Sequence, residues 1–265
     1  MKKILLVGCG KMGGALLDGW LDFGVLPSNI FVIDPMSVRH SEWSHVRMST
    51  NITTLPKEFH PDVIVLAVKP QIIDDIASLY AQFDNAVFLT IVAGKSLSYF
   101  ARVLGNEISI IRAMTNIPAS VRRGITVAIS NDSVTETQKE SCNDLLKAVG
   151  DIVWIENEVL MDAVTAISGS GPAYIFLLAE SLIIAGEAFG LPKKLVTHLV
   201  RKTVIGTGEL LNQSHESLHQ LRHSVTSPGG TTFAALQVLM KQDGFTSLMI
   251  EAVTVAIKRS RELAN

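Results

Sequence analysis

The first 34 residues constrain the fold of this chain more than any other stretch. Ile4–Val7 is an apolar run too short for a helix and typical of a buried strand. It leads into a G-x-G-x-x-G sequence at residues 8–13, after which apolar residues recur at helical spacing. A second apolar run, Ile30–Ile33, ends at Asp34. A strand, a glycine-rich turn, a helix and a strand closed by an acid about 20 residues later predict a dinucleotide-binding unit.

The three glycines of this turn have separate physical roles. Gly8 permits the tight turn out of the strand, Gly10 lets a pyrophosphate approach the backbone, and Gly13 lets the helix pack close to the strand. The free N–H groups and the positive dipole end at the start of the helix favour phosphate. The alternative is a glycine-rich turn in an α/β domain that binds nothing.

Composition limits the remaining possibilities. A chain of 265 residues with 48% hydrophobic residues is long and apolar enough for one large or two modest domains. The net charge is −2 and the charged residues form no blocks, so no nucleic-acid partner is expected. Cys9 and Cys142 have no metal-binding or disulfide spacing, which favours a cytoplasmic location. No apolar run approaches the roughly 18 residues of a membrane span, so no membrane association is expected.

Apolar runs alternate with helical patterns as far as about residue 155. Ser96 is well placed to cap the start of one of these helices. This alternation predicts an α/β fold, a Rossmann-type doubly wound and mainly parallel sheet, over residues 1–157. The predicted strands after the first two cover residues 46–48, 62–68, 86–92, 108–113, 124–130 and 152–155.

The pattern changes at residue 158, after which no convincing strand follows. We therefore predict an all-helical C-terminal domain over residues 158–265. The predicted helix at 173–189 is apolar nearly all round, which favours burial on several sides and packing against a second subunit. An ordinary central helix is the alternative. The predicted helices cover residues 161–167, 173–189, 193–211, 231–241 and 245–262.

Ligands of parallel sheets bind beyond the carboxyl ends of the strands. Residues at these ends are therefore expected to line one crevice together with the glycine-rich turn. For Lys69, contact with a cofactor phosphate or ribose and capping of a strand end are equally open. The predicted cofactor-binding residues are Gly8, Cys9, Gly10, Lys11, Met12, Gly13, Asp34, Pro35, Asn51, Ala67, Val68, Lys69, Pro70, Ile91, Val92, Ala93, Asn116 and Pro118.

Two further glycine-rich stretches lie in the helical part, at residues 168–174 and 224–232. Each precedes a predicted helix. In the second, the N–H groups of residues 230–232 are expected at a helix start, which suits a carboxylate. Thr232 adds a hydroxyl that can donate or accept. The alternative is that both stretches only mark where helices begin.

The second of these stretches, residues 225–232 with Ala234-Ala235-Leu236 behind it, resembles the signature of the pyrroline-5-carboxylate reductase family. Residues 168–174 resemble another characteristic loop of that family. The sequences at 67–71 and 112–118 also match family motifs, in the same order, so the resemblance covers essentially the whole chain. Ile117 departs from the threonine usual in the family, which puts the role of that position in doubt.

The resemblance implies the last step of proline synthesis, in which NADH or NADPH reduces 1-pyrroline-5-carboxylate to L-proline. It also implies homodimers with interlocked helical domains, often assembled into rings, with the substrate pocket at that interface. The substrate carboxylate would bind the N–H groups of residues 230–232, and the hydroxyl of Thr232, the candidate catalytic residue, would lie near the imine nitrogen. The predicted substrate-binding residues are Ser170, Val225, Ser227, Gly229, Gly230, Thr231 and Thr232.

Asp34 bears on the choice of cofactor. An acid at the end of the second strand accepts the ribose hydroxyls and repels a 2′-phosphate, which favours NADH. The family often uses NADPH, and Arg39, near Ser37, could clamp a phosphate. Both cofactors are therefore expected to work, with NADH preferred.

Two other functions remain open. Another imine or 2-hydroxyacid reductase of similar two-domain build would need a catalytic lysine, for which Lys193 and Lys194 are the nearest candidates. A non-catalytic nucleotide-binding protein would keep the first glycine-rich turn without needing residues 229–232. His215, His219 and His223 have the spacing of one helix face, but no acidic or cysteine ligand completes a site, so no metal is predicted.

Overall fold

The computed structural model describes residues 2–35 and 43–264, and within them eight strands form one sheet. The strand order is β3-β2-β1-β4-β5-β6-β7-β8. Strands β1 to β6 run parallel, β7 is antiparallel to β6, and β8 is parallel to β7. The prediction of a doubly wound, mainly parallel sheet is confirmed. The strands are β1 Ile4–Val7, β2 Ile30–Ile33, β3 Arg47–Ser49, β4 Val63–Leu66, β5 Val87–Thr90, β6 Ile110–Met114, β7 Gly124–Ser130 and β8 Gly150–Trp154.

Helices separate the strands and make up most of the chain after β8. The hydroxyl of Ser96 accepts the N–H of Tyr99 at 3.1 Å, so the predicted cap is confirmed. Thr135 and Gln138 form a capping box at the start of α4. The helices are α1 Lys11–Asp22, α2 Pro70–Ile76, α3 Leu97–Leu104, α4 Glu136–Lys147, α5 Met161–Val164, α6 Gly171–Ala188, α7 Lys193–Gln213, α8 Leu218–Ser224, α9 Thr231–Leu239 and α10 Phe245–Ala264.

The sheet is buried on both faces. Trp20 of α1 lies fully buried in the cluster on one face, where its indole N–H donates to the carbonyl of Leu145 at 2.9 Å. Phe88 and Phe100 lie in the cluster on the other face. A parallel strand that is covered on both faces has a nearly continuous apolar sequence, which is why β1, β2 and β4 could be recognised from the sequence.

The chain divides into two compact units. The first contains the residues up to 170 together with those from 256 onward, and the second contains residues 171–255. In the first unit the end of α10 is fixed by Ser260, whose hydroxyl donates to Asp162 at 2.7 Å. The predicted domain boundary between residues 157 and 158 stays a prediction.

The second unit buries little apolar surface. Gly186 of α6 lies so close to Val196 of α7 that a Cβ at Gly186 would come within 2.3 Å of a valine methyl. Val196 and Val200 are the buried apolar side chains among the described residues of this unit. Large side chains of α6 such as Phe176 are exposed.

Residues 158–188 form one continuous helical segment, which differs from the two predicted helices. The stretch expected to separate them is itself helical, because residues 165–169 form a π-helical turn between α5 and α6. This segment is long enough and apolar enough to cross a membrane. The expectation that no stretch approaches a membrane span is therefore wrong for these two properties. A single such helix is weak support for a membrane span, because core helices of other proteins meet the same criteria.

Candidate functional site

The strand order places a crevice at the carboxyl ends of β1 and β4. The chain runs from β1 outward to β2 and β3, then crosses back to β4 on the other side of β1, which is a topological switch point. A cavity of about 520 Å³ lies there. The predicted cofactor-binding residues that line it are Gly8, Gly10, Asp34, Pro35, Asn51, Ala67, Val68 and Lys69.

The glycine-rich turn has the close approaches that were expected from its sequence. Gly8 has a φ of +90°, and a Cβ there would lie 2.7 Å from the carbonyl oxygen of Ala67. A Cβ at Gly13 would lie 2.2 Å from the carbonyl oxygen of Gly8. At Gly10, by contrast, no atom of the described residues beyond Gly10 and its two chain neighbours lies within 4 Å of the Cβ position. The turn is therefore tight towards the sheet and open above Gly10, as a bound pyrophosphate requires.

The start of α1 lies at this opening. Gly10 occupies the N-cap position, and no side chain caps the helix. The N–H groups of the first turn of a helix have no intrahelical acceptor. They can therefore bind an anion.

Asp34 is held in place by the turn itself. It is 8% exposed, and its Oδ2 accepts the N–H of Cys9 at 2.5 Å. Cys9 lies in the core, and its N–H donates to Asp34 in this way; its contact with the cofactor stays a prediction. Ser37 and Arg39, the proposed phosphate clamp, lie outside the described residues.

The other predicted cofactor residues lie near the carboxyl ends of the strands but do not line the cavity. Met12 packs against the core, and Val92 is buried with its N–H donated to the hydroxyl of Thr90 at 3.2 Å. Contact of these residues with a cofactor stays a prediction. They are Lys11, Met12, Gly13, Pro70, Ile91, Val92, Ala93, Asn116 and Pro118.

Sequence reasoning missed one wall of the cavity. Ile72 and Leu79 line it and are 45% and 50% exposed, and Ile76 lies between them in the chain. Their helical spacing was visible in the sequence, but the face they share was not. Tyr80 also lines the cavity, and burial raises the pKa of its phenol to about 12, so it stays a hydrogen-bond donor at neutral pH.

The stretch at 225–232 forms a turn followed by a helix start. The N–H of Gly230 donates to the carbonyl of Ser227 at 3.0 Å, with Pro228 and Gly229 (φ +71°) between them, as in a type II turn. The expectation that Gly230 would offer a free N–H therefore needs correcting. Helix α9 begins at Thr231 without a side-chain cap, and within the described residues the N–H groups of residues 231–233 have no acceptor.

Thr232 is exposed in the first turn of α9, as its predicted role requires. Ser170 is half-buried, and its N–H donates to the carbonyl of Thr165 at 2.9 Å in the π-helical turn. Among the other predicted substrate residues, Val225, Ser227 and Gly229 are exposed.

The three histidines do not share one helix face. Helix α8 begins at Leu218, so His215 precedes it, while the rings of His219 and His223 stack with their centroids 6.4 Å apart. Among residues 2–35 and 43–264, no three histidine, cysteine or acidic side chains form a group suited to a metal ion.

Comparison with known proteins decides the family. Residues 158–263 match the model of pyrroline-5-carboxylate reductase dimerisation, and residues 3–94 match that of the coenzyme F420-dependent NADP oxidoreductases. A pyrroline-5-carboxylate reductase of Synechocystis is 38% identical to this chain, and the match covers 97% of both proteins. The chain belongs to the pyrroline-5-carboxylate reductase family.

Solved structures agree with this membership over the full length. The pyrroline-5-carboxylate reductase of Coxiella burnetii superposes with a TM-score of 0.91 at 32% identity, covering 100% of this chain and 99% of that one. The pyrroline carboxylate reductase of Plasmodium falciparum, solved with NADP bound, gives 0.86 at 32% identity, covering 100% and 98%. The chain is therefore an oxidoreductase with a nicotinamide cofactor.

Proposed function

We propose that this protein reduces 1-pyrroline-5-carboxylate to L-proline with NADH or NADPH, the last step of proline biosynthesis. The observation that carries this proposal is the cavity at the switch point of the sheet, lined by Gly10, Asp34 and Lys69. The same chain has a second feature: helix α9 begins without a side-chain cap, just after Pro228 and Gly229. The first feature suits a dinucleotide and the second suits a carboxylate.

The cofactor half of the proposal follows from the cavity. A bound NADH or NADPH supplies the hydride that the imine carbon accepts. The open space above Gly10 and the N–H groups of the first turn of α1 hold the pyrophosphate. Asp34 accepts the ribose hydroxyls, and the exposed apolar side chains of Ile72 and Leu79 cover the adenine. The residues Ile91, Val92, Ala93 and Pro118, near the ends of β5 and β6, are the proposed contacts of the nicotinamide.

The substrate half of the proposal follows from the start of α9. The N–H groups of residues 231–233 bind the carboxylate, because nothing in the described chain accepts from them. The hydroxyl of Thr232 hydrogen-bonds the ring nitrogen and favours the protonated imine, which accepts hydride more readily. Val225, Ser227 and Gly229 are the other proposed substrate contacts in this stretch, and Ser170 is also proposed to contact the substrate. Catalysis then depends mainly on holding two reactants in the right orientation.

NADH is the better cofactor in this proposal, although both work. The carboxylate of Asp34 is fixed by its 2.5 Å hydrogen bond with Cys9 and lines the cavity. A 2′-phosphate placed near it would meet a charge of the same sign. The relative from Plasmodium falciparum binds NADP, so the preference of this chain needs its own measurement.

The protein acts as a homodimer or a larger homo-oligomer assembled through a helical domain at residues 158–265. Two observations support this: the exposed apolar side chains of α6, and the match of residues 158–263 to a dimerisation model. A partner subunit on α6 also accounts for the apolar length of residues 158–188 without a membrane. The buried thiols of Cys9 and Cys142 suit the reducing cytoplasm.

The test is the oxidation of reduced cofactor on addition of 1-pyrroline-5-carboxylate, followed by identification of L-proline. We expect turnover with NADH and with NADPH. A matched compound, 1-pyrroline, lacks the carboxylate and should be reduced poorly, because the N–H groups of α9 then bind nothing. Cofactor binding without turnover, in folded protein, would favour a non-catalytic nucleotide-binding protein. Equal rates with and without the carboxylate would favour a different imine reductase.

A further inference from the structure

One face of β6 supports the helical segment that follows β8. Residues 112, 114 and 116 alternate along β6 and its extension, so their side chains lie on the same side of the strand. Arg112 is 9% exposed, and its Nη1 lies 2.6 Å from Oε1 of Glu158, at the start of the segment. Met114 packs against Gly169, where an added Cβ would lie 2.3 Å from the methionine methyl. Residues 158–169 are therefore packed directly against this face of the strand.

Asn116 makes the third of these contacts and uses both ends of its amide. Its Nδ2 donates to the carbonyl oxygen and to the hydroxyl of Ser168, both at 3.3 Å. Its Oδ1 accepts the N–H of Ile125 at 3.0 Å. Because Ile125 offers a donor and the carbonyl of Ser168 an acceptor, only one orientation of the amide satisfies both. Asn116 is 9% exposed, so this side chain is a buried connection between β7 and Ser168.

The contact of Asn116 with Ser168 falls on a turn of unusual backbone conformation. Residues 165–169 are π-helical, a rare conformation that occurs as single turns and often at functional sites. Ser170, which closes the turn through its bond to Thr165, is the next residue along the chain.

We propose that Asn116 is a positioning residue, whose amide holds the turn at residues 168–170 in the geometry that presents Ser170 to the substrate. In this proposal Asn116 acts through its hydrogen bonds with Ser168, in place of the direct cofactor contact predicted from the sequence. The part of this proposal that concerns substrate rests on the proposed function of the chain.

Asn131 provides a matched control at the opposite end of β6. Its Oδ1 accepts the N–H of Ile110 at 2.9 Å, and its Nδ2 donates to the carbonyl of Ile108 at 2.8 Å. Asn131 therefore forms the same kind of bridge at the amino end of the strand, away from the turn. Asn116→Asp and Asn131→Asp each keep the acceptor and replace the N–H donors by a carboxylate oxygen that faces a carbonyl.

The first measurement is steady-state kinetics on the two full-length variants. We expect Asn116→Asp to raise the KM for 1-pyrroline-5-carboxylate about five- to tenfold, the range for one lost hydrogen bond. The KM for the reduced cofactor should stay within about twofold of the parent value. Asn131→Asp should lower the thermal stability by about as much as Asn116→Asp does, and it should leave both KM values unchanged. The proposal is overturned if Asn131→Asp raises the substrate KM equally, or if Asn116→Asp raises mainly the cofactor KM.

The second measurement, hydrogen exchange, does not depend on activity. The amide of Ser170 should exchange about five- to tenfold faster in Asn116→Asp and at the parent rate in Asn131→Asp. An unchanged rate in Asn116→Asp overturns the positioning role. A parent protein that fails to reduce the substrate contradicts the proposed function, and the exchange rates still decide what Asn116 does.

If Asn116→Asp does not fold, Ser168→Ala serves in its place because it removes one acceptor and adds no charge. The exchange rate of Ser170 should then rise about twofold, and a rate equal to that of the parent overturns the proposal.

Discussion

The two compact units of this chain bury their apolar residues to very different extents. In the first, β1, β2, β4 and β5 are buried along their whole length between two clusters of side chains. In the second, Val196 and Val200 are the buried apolar side chains among the described residues, while Phe176 is 63% exposed. The first unit completes its core within one chain. The second leaves apolar surface that another subunit would cover.

The same difference holds for the two helix starts that we assign to ligands. Helices α1 and α9 both begin behind an N-cap glycine in an extended conformation, without a side-chain cap. The start of α1 lies beside a cavity of about 520 Å³, whereas residues 231 and 232 at the start of α9 are exposed. The single chain therefore has a formed cavity, which we propose for the cofactor, whereas the helix start that we propose for the substrate is open and is expected to be enclosed by a partner subunit.

The largest effect is expected from a charge placed on α6. Phe176→Glu should convert an assembly of at least twice 28.7 kDa into monomers, because an unpaired buried charge costs about 3–5 kcal/mol. The matched control is Phe23→Glu in the first unit, at 65% exposure in the parent, which should leave the mass unchanged. Light scattering reports both masses. A parent protein that is monomeric and active would show that the second unit does not need a partner subunit to cover its apolar surface.

A smaller effect is expected at the start of α9. Thr232→Ala should lower kcat/KM for 1-pyrroline-5-carboxylate about ten- to a hundredfold, since a hydrogen bond to a charged group contributes about 1.5–3 kcal/mol. Cofactor affinity should change little. Thr231→Ala is the control, because it removes a neighbouring exposed hydroxyl and keeps the backbone N–H. Equal losses in the two variants would show that Thr232 has no special role.

The corresponding change at the start of α1 tests the formed site. Gly10→Ala should weaken cofactor binding about five- to thirtyfold, because a methyl group would crowd the pyrophosphate at a cost of about 1–2 kcal/mol. The thermal stability should stay unchanged, since no atom of the described residues beyond the two chain neighbours of Gly10 lies within 4 Å of the added group. Calorimetric titration and thermal unfolding measure the two quantities. Parent-like affinity would place the pyrophosphate elsewhere.

The smallest effect is expected at Asp34. Asp34→Asn keeps an acceptor for the N–H of Cys9 and removes the charge, so it isolates the electrostatic effect. The ratio of kcat/KM for NADPH to that for NADH should rise about fivefold, because two like charges about 4 Å apart repel by about 1 kcal/mol even at the dielectric constant of water. If the parent already prefers NADPH tenfold or more, the carboxylate of Asp34 does not face the ribose.

Local features were predictable from the sequence because they depend on neighbours in the chain. The strand at residues 4–7, the glycine-rich turn and the cap at Ser96 were all predicted and are present. Each follows from residue type and spacing over a few positions. The mainly parallel sheet also followed, since alternating strands and helices have few ways to pack.

Tertiary packing decided the features that join distant parts of the chain. The bond from Asn116 to Ser168 and the wall formed by Ile72 and Leu79 depend on which surfaces meet, and no local pattern encodes that. The antiparallel direction of β7 was likewise set by how it pairs with β6. Residue type and local spacing were therefore sufficient to predict the strands, most of the helices and the glycine-rich turn. The tertiary structure decided which of those residues face the cavity and which, like Cys9, are used to hold a neighbour, because a hydrogen bond between distant residues exists only once packing has brought them together.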